Sequence, residues 1–155
     1  MSARFASGKR PYVTVEVFGM KQLEQELKQL SDKLRRKALS RGVAAGARMC
    51  RKLAKQKAQG LGLVDSGDMV KAISLKRKKS RDRNVAIYGV GYSGLGWYGR
   101  LYEYGFKNPE GGKRQRPVIR PTLDEHAEEI AYAIKNRMWE EIVKIRSRGI
   151  LKPRR

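Results

Sequence analysis

The sequence predicts an α+β fold in which a small, mainly antiparallel sheet packs against two long helices. Three patterns carry that expectation. Val13, Val15 and Val17 alternate with Thr14 and Glu16 as in a half-buried strand. Two long helical stripes of apolar residues lie near the two ends of the chain, and between them two β-patterned runs flank a charged hexapeptide, KKSRDR. At 155 residues the chain suits one core that buries roughly 70% of its unfolded surface. The expected organisation is a flexible basic arm over 1–11, a single domain over 12–149 and a basic tail over 150–155.

Each element follows in chain order. The first strand spans Tyr12 to Phe18 and stops at Gly19. Met20, Leu23, Leu27, Leu30 and Leu34 then recur at spacings of 3, 4, 3 and 4, which lines one face of a helix. The stripe continues through small residues, Ala38, Gly42, Ala45, Gly46 and Ala47, before Met49 and Leu53. This predicts one helix over about 19–58, bent near Gly42, that a neighbouring element approaches closely. In the loop 59–68, Asp65 or Ser66 caps a turn through Met69 and Val70. Ile73–Lys78 and Asn84–Tyr92 form a hairpin with a basic tip, because six of the eight residues from Lys76 to Arg83 are basic. A glycine-rich irregular stretch and a polar loop, NPEGGKRQRP, lead to a last helix opened by Pro121 or Thr122. Thr122 and Glu125 have capping-box spacing, and Leu123, Ala127, Ile130, Ile134, Met138, Ile142 and Ile145 form its stripe up to Gly149.

Charge narrows the function. Lys plus Arg number 36 against 15 Asp plus Glu, a net charge of +21, so partners are expected to be phosphate or acidic protein surfaces. The candidate contacts are Lys76, Arg77, Lys78, Lys79, Arg81 and Arg83 in the hairpin, and Lys113, Arg114 and Arg116 in the polar loop. No helix-turn-helix, zinc finger or RNP motif accompanies them, so base-specific reading is not expected. The single cysteine, Cys50, excludes an intramolecular disulfide framework. No stretch is long and apolar enough to span a membrane, and MSARFASGKRP lacks the apolar region of a signal peptide, so no membrane partner and an origin in the cytoplasm are expected.

Catalytic and cofactor motifs are weak. Gly89-Val90-Gly91-Tyr92-Ser93-Gly94 matches G-x-G-x-x-G, but the motif binds dinucleotides only where it opens a helix within a βαβ unit, and here more glycines follow. His126 stands among carboxylates that the helix dipole already explains, and Cys50 has no histidine near it in sequence. No Ser-His-Asp order, phosphate-binding loop or zinc motif is present. No catalytic residue, metal or cofactor is therefore expected, and a nuclease would lack its carboxylate cluster and general base.

Three segments in order resemble a family of tailed-bacteriophage proteins: minor tail components that complete the tail and join it to the head at the neck. Phe18-Gly19-Met20-Lys21-Gln22-Leu23 is similar to the family's start. Val64-Asp65-Ser66-Gly67-Asp68-Met69-Val70-Lys71-Ala72-Ile73 resembles its loop in which Asp, Ser or Thr, and Gly precede an apolar residue and a short basic-apolar run. Leu101-Tyr102-Glu103-Tyr104-Gly105 and Arg116-Pro117-Val118-Ile119-Arg120-Pro121 resemble its aromatic-Glu-aromatic-Gly and Pro-apolar-apolar-Arg-Pro signatures. The chain departs from the pattern at Leu63, Phe106, Val118 and Thr122. The resemblance marks Asp65, Ser66, Gly67, Met69, Tyr102, Glu103, Tyr104, Gly105, Arg120 and Pro121 as fold or assembly positions.

The resemblance implies a non-enzymatic virion protein assembled in the host cytoplasm. It would form a homo-oligomeric ring, hexameric by resemblance, at the head-tail junction. Its partners would be head connector or adaptor proteins, tail terminator or tail tube proteins, and the double-stranded DNA in the lumen. Glu103 is expected to pair with Arg120 across the fold. The rival reading is a sequence-independent nucleic-acid-binding module acting outside a virion, for which the isolated monomer would bind DNA tightly with a steep salt slope.

Overall fold

The computed structural model describes residues 21–62, 67–82, 84–96, 98–107 and 111–148. The expected arm 1–11, the strand 12–18, the helix terminator Gly149 and the tail 150–155 lie outside the described residues. Within them the fold is mixed helix and strand, as expected.

The helix expected over 19–58 is two helices, α1 (Lys21–Lys28) and α2 (Asp32–Gly60). The interruption falls at Gln29 to Ser31 and not at Gly42. Ser31 takes extended backbone (φ −59°, ψ 151°), and the Leu30 N–H turns back to the Leu27 carbonyl at 3.2 Å. Helix α2 runs unbroken through Gly42. Its buried face is a four-residue ladder, Ala38, Gly42, Gly46, Cys50, Ala54 and Ala58, joined by Ala44, whereas Ala45, Ala47, Met49 and Leu53 are only partly buried.

The short helix α3 (Asp68–Ala72) starts from Gly67 in the left-handed conformation (φ 69°) and buries Met69 and Val70. It runs directly into β1 (Ile73–Lys78), which pairs antiparallel with β2 (Ile87–Tyr92), from Ile73 opposite Tyr92 to Lys78 opposite Ile87. The second strand begins at Ile87, three residues later than expected, because Asp82 organises the turn: its Oδ1 accepts the Asn84 N–H at 2.7 Å and its carbonyl accepts the Val85 N–H at 3.3 Å.

The stretch read as irregular holds a 3-10 turn (Gly94–Gly96) and a helix, α4 (Gly99–Tyr104). Both are fitted by glycines. A Cβ on Gly96 would lie 2.0 Å from that of Ala72, and one on Gly99 would lie 2.5 Å from the Tyr92 ring. Two-residue strands β3 (Phe106–Lys107) and β4 (Lys113–Arg114) then form a second small ladder.

The last helix is also divided, into α5 (Ile119–Glu125) and α6 (Ala127–Ser147), with His126 (φ −114°, ψ 22°) between them. The expected capping box does not form. Thr122 Oγ1 donates to the Val118 carbonyl at 2.7 Å, and Glu125 pairs with Lys57 on α2.

Helix α2 is the centre of the molecule, touching α6, both hairpin strands, α3 and α5. It crosses α6 antiparallel, with Arg41 paired to Glu141 of α6 at one end and Lys57 to Glu125, the last residue of α5, at the other. The i, i+4 row of α2 meets the row Ile130, Ile134, Met138 and Ile142 of α6, which is ridge-into-groove packing. A Cβ on Gly42 would lie 2.1 Å from Met138 Cγ, and one on Gly46 2.4 Å from Ile134 Cγ1, so both glycines are required by the crossing. Helix α1 adds Leu23 and Leu27 to the same core, Leu30 in the break after it adds a third leucine, and Glu26 pairs with Arg146 near the end of α6.

Candidate functional site

The two groups of positions singled out in the sequence occupy different parts of the fold. The Tyr102–Gly105 and Arg116–Pro121 segments meet each other. Glu103, 5% exposed on α4, accepts the backbone N–H groups of Val118 (2.9 Å) and Ile119 (3.0 Å) on Oε2 and of Arg120 (2.9 Å) on Oε1. A helix leaves its first four N–H groups without intrahelical partners. Here Glu103 takes three, and the fourth position is Pro121, which has no N–H. Thr122 N–H then makes the first intrahelical bond, to Val118 at 3.1 Å. This explains why α5 opens earlier than the sequence suggested: its cap comes from a residue fifteen positions upstream of Val118.

The expected Glu103–Arg120 ion pair is therefore corrected. The link runs through the Arg120 backbone, and the Arg120 guanidinium lies over the Tyr104 ring, 4.8 Å from its centroid. The remaining motif residues support the clamp. Gly105 takes φ 83° and donates its N–H to the Leu101 carbonyl at 2.7 Å, ending α4. Arg116 N–H reaches the Tyr102 carbonyl at 3.0 Å, Gln115 Nε2 reaches that of Glu103 at 3.3 Å, and Tyr102 meets Phe106 edge-on at 5.5 Å. Asp65 and Ser66 lie outside the described residues.

The basic positions form a surface at the hairpin tip. Lys76, Arg77, Lys79 and Arg81 are exposed and Lys78 is half-buried, whereas Arg83 lies outside the described residues. Across the ladder, Lys76 faces Gly89, Arg77 faces Tyr88 and Lys78 faces Ile87, so no like charge stands directly opposite another. The tip folds over the start of α2 and encloses a groove of about 480 Å³ lined by Arg36, Ser40, Arg77, Lys78, Lys79 and Asp82 among others. Ser40 and Tyr88 join the two elements by a hydroxyl hydrogen bond of 3.0 Å. Arg36, whose Nε is buried without a hydrogen-bond partner, was not among the expected contacts. Its position on a uniformly basic helix gave no signal; only the folding of the hairpin over it did. Such a groove can hold a phosphate or a carboxylate.

The polar-loop positions belong to another part of the backbone. Lys113 and Arg114 form β4, whose backbone pairs with Lys107 and Phe106, and the exposed Arg116 is tied to α4. Helix α4 packs by Gly99 on Tyr92, at the end of the ladder away from the tip.

Three other groups have structural settings. Burial pushes the Cys50 thiol up to about 11, beside an apolar cavity of about 280 Å³ between α2, β2 and α5. Burial, and next the nearby Glu103 carboxylate, push the Tyr92 phenol up. His126 Nδ1 lies 3.3 Å from Glu129 at the α5–α6 junction. The G-x-G-x-x-G run occupies β2 and the following turn, and leads into a 3-10 turn rather than a long helix.

Residues 21–105, more than half of the chain, match the family described as "Bacteriophage HK97-gp10, putative tail-component". The protein is by class a structural component of a phage tail. It belongs to the HK97-gp10-like family. No curated protein and no solved structure matches the chain. Among the described residues no helix is long and apolar enough to cross a membrane.

Proposed function

We propose that this tail component completes the tail and joins it to the head, as one subunit of a homo-oligomeric ring around the DNA passage. The observation that carries the reading is the family match over residues 21–105. The body of the subunit is the α2–α6 pair with its hairpin, and Glu103 locks the α4–α5 junction into it. The hairpin groove and the segment from Lys113 to Arg116 then serve as contacts to neighbouring subunits, to acidic surfaces of the head connector and tail terminator, and to DNA phosphates in the lumen. Contacts to DNA would be to its backbone, strongly salt-dependent and indifferent to sequence.

The test is to disrupt the gene in its phage and examine the lysate by electron microscopy. DNA-filled heads accumulating apart from tails, with restoration by the intact gene, are expected. Normal infectious particles would overturn the reading. The second reading, a nucleic-acid-binding module, draws on the groove alone. It requires tight DNA binding by the isolated monomer, whereas a ring subunit binds weakly until assembly adds avidity.

A further inference from the structure

Helix α2 is basic along its length, from Arg35 to Lys57, but the elements packed on its two ends differ in charge. At one end the hairpin tip closes over Arg36 and Ser40, and Lys76, Arg77, Lys79 and Arg81 have no carboxylate partner among the described residues. At the other end Lys57 meets Glu125, where α5 gives way to α6. From Ser40 to Lys57 is roughly 25 Å at ~1.5 Å per residue. The far end holds four of the chain's 15 carboxylates, Asp124, Glu125, Glu128 and Glu129, within six residues. Glu125 and Glu129 are engaged by Lys57 and His126, but Asp124 and Glu128 are exposed and lack an ionic partner among the described residues. That is notable in a chain with more than two cations per carboxylate.

One exposed aromatic side chain adjoins the acidic end. On the face of α6 that carries Glu128, Tyr132 is 65% exposed; the same face continues through Trp139 (46%) and Val143 (48%) toward the Arg41–Glu141 pair, at the end of α2 where the tip lies. They follow one another at spacings of 4, 7 and 4, one face of a helix. The tip offers the complement: four cations beside Val85, itself 48% exposed.

We infer that the acidic start of α6, Asp124 and Glu128 with Tyr132 beside them, receives the basic hairpin tip of a second copy of the same chain. The two surfaces sit at opposite ends of one subunit, so the contact is head-to-tail, and it closes a ring when the rotation between copies divides a full turn. Arginine and lysine would meet Asp124 and Glu128 and stack on Tyr132, with Val85 packing beside that ring. The inference rests on the ring reading above and adds to it which surfaces of the subunit meet.

The experiment is a charge-swap cycle on the full chain, read by sedimentation velocity across a concentration series. The variants are Arg77→Glu/Lys79→Glu and Asp124→Lys/Glu128→Lys. Each is expected to weaken self-association by ~10-fold or more. Mixing the two proteins, or joining all four changes in one chain, is expected to restore it, and this restoration cannot come from misfolding. The neutral variants Arg77→Gln and Glu128→Gln should show a smaller loss at unchanged circular dichroism. A parent chain that stays monomeric at every concentration would overturn both the ring reading and this contact. A parent that assembles, with variants that assemble equally well, would overturn the contact alone. Tip variants that lose only DNA binding would assign the tip to DNA and overturn it likewise.

Discussion

Glu103 holds Arg120 by its backbone: Oε1 accepts the Arg120 N–H at 2.9 Å while the guanidinium rests over the Tyr104 ring. A carboxylate at the start of a helix gains from the dipole as well as from the three hydrogen bonds it accepts. Replacing it would expose three buried donors at once. We expect Glu103→Ala to cost about 3 kcal/mol in urea unfolding and Glu103→Gln about half of that, because the amide keeps one accepting oxygen. Arg120→Ala should cost less than about 1 kcal/mol, since the N–H that Glu103 holds survives the change. A larger loss for Arg120→Ala than for Glu103→Ala would contradict the clamp.

The crossing of α2 and α6 depends on two missing methyl groups. Gly42→Ala places a Cβ against Met138 Cγ and the Ile134 carbonyl, and Gly46→Ala places one against Ile134 and the Ile130 carbonyl. Each should destabilise by about 1–3 kcal/mol, although alanine favours a helix by about 1 kcal/mol elsewhere. Met138→Ala is expected to recover part of the Gly42→Ala loss but none of the Gly46→Ala loss. A double-mutant cycle by thermal unfolding checks this.

Glu141 is buried on α6 between Arg41 and Arg137, the latter at 2.9 Å. Both arginines are substantially exposed, so either alone should be dispensable at about 1 kcal/mol. Arg41→Met with Arg137→Met leaves the carboxylate buried and unpaired, and about 3 kcal/mol should be lost. Adding Glu141→Met to that pair should return most of it. Equal stability of the double and triple variants by denaturant titration would rule the account out.

Alkaline conditions should unfold the protein through two buried acids. Cys50 and Tyr92 are both held neutral in the fold, whereas in the unfolded chain the thiol ionises near 9.0 and the phenol near 10.0. The Cys50 contribution is whole below pH 9 and is lost as pH rises through about 11, whereas that of Tyr92 begins to fall near pH 10 and is lost at still higher pH. Cys50→Ala should therefore flatten the lower part of the decline in unfolding midpoint between those values. Folded Cys50 should also react with a maleimide far more slowly than the urea-unfolded chain.

The pattern of α2 shows why part of the core was legible and part was not. The change from leucines to small residues at Ala38, Gly42 and Gly46 announced a close approach, and Met138 and Ile134 make it. The phase beyond that was not readable, because alanines occupy several faces of α2. Ala44, Cys50, Ala54 and Ala58 are buried, where Ala45, Ala47, Met49 and Leu53 were expected. The break at His126 was hidden for a related reason, since the apolar periodicity of Leu123, Ala127 and Ile130 passes straight across the junction.

Glu103 was recognisable as a residue to single out, but not as a cap, because side-chain capping is normally read within a few residues and this one reaches across a whole loop. The basic tip was readable from composition. Its groove was not, because Arg36 comes from a helix remote in sequence.

The glycine face of α2 has a temporal consequence. Gly42 and Gly46 wait for Met138 and Ile134, Arg41 waits for Glu141 a hundred residues later, and Glu26 for Arg146 at a separation of 120. While the chain leaves the ribosome, α2 has nothing to cover its narrowest face until α6 has been made. Native packing therefore waits for α6, and folding is slowed for a protein so rich in helix. A subunit truncated within α6 would present that bare groove to any other helix in the cell.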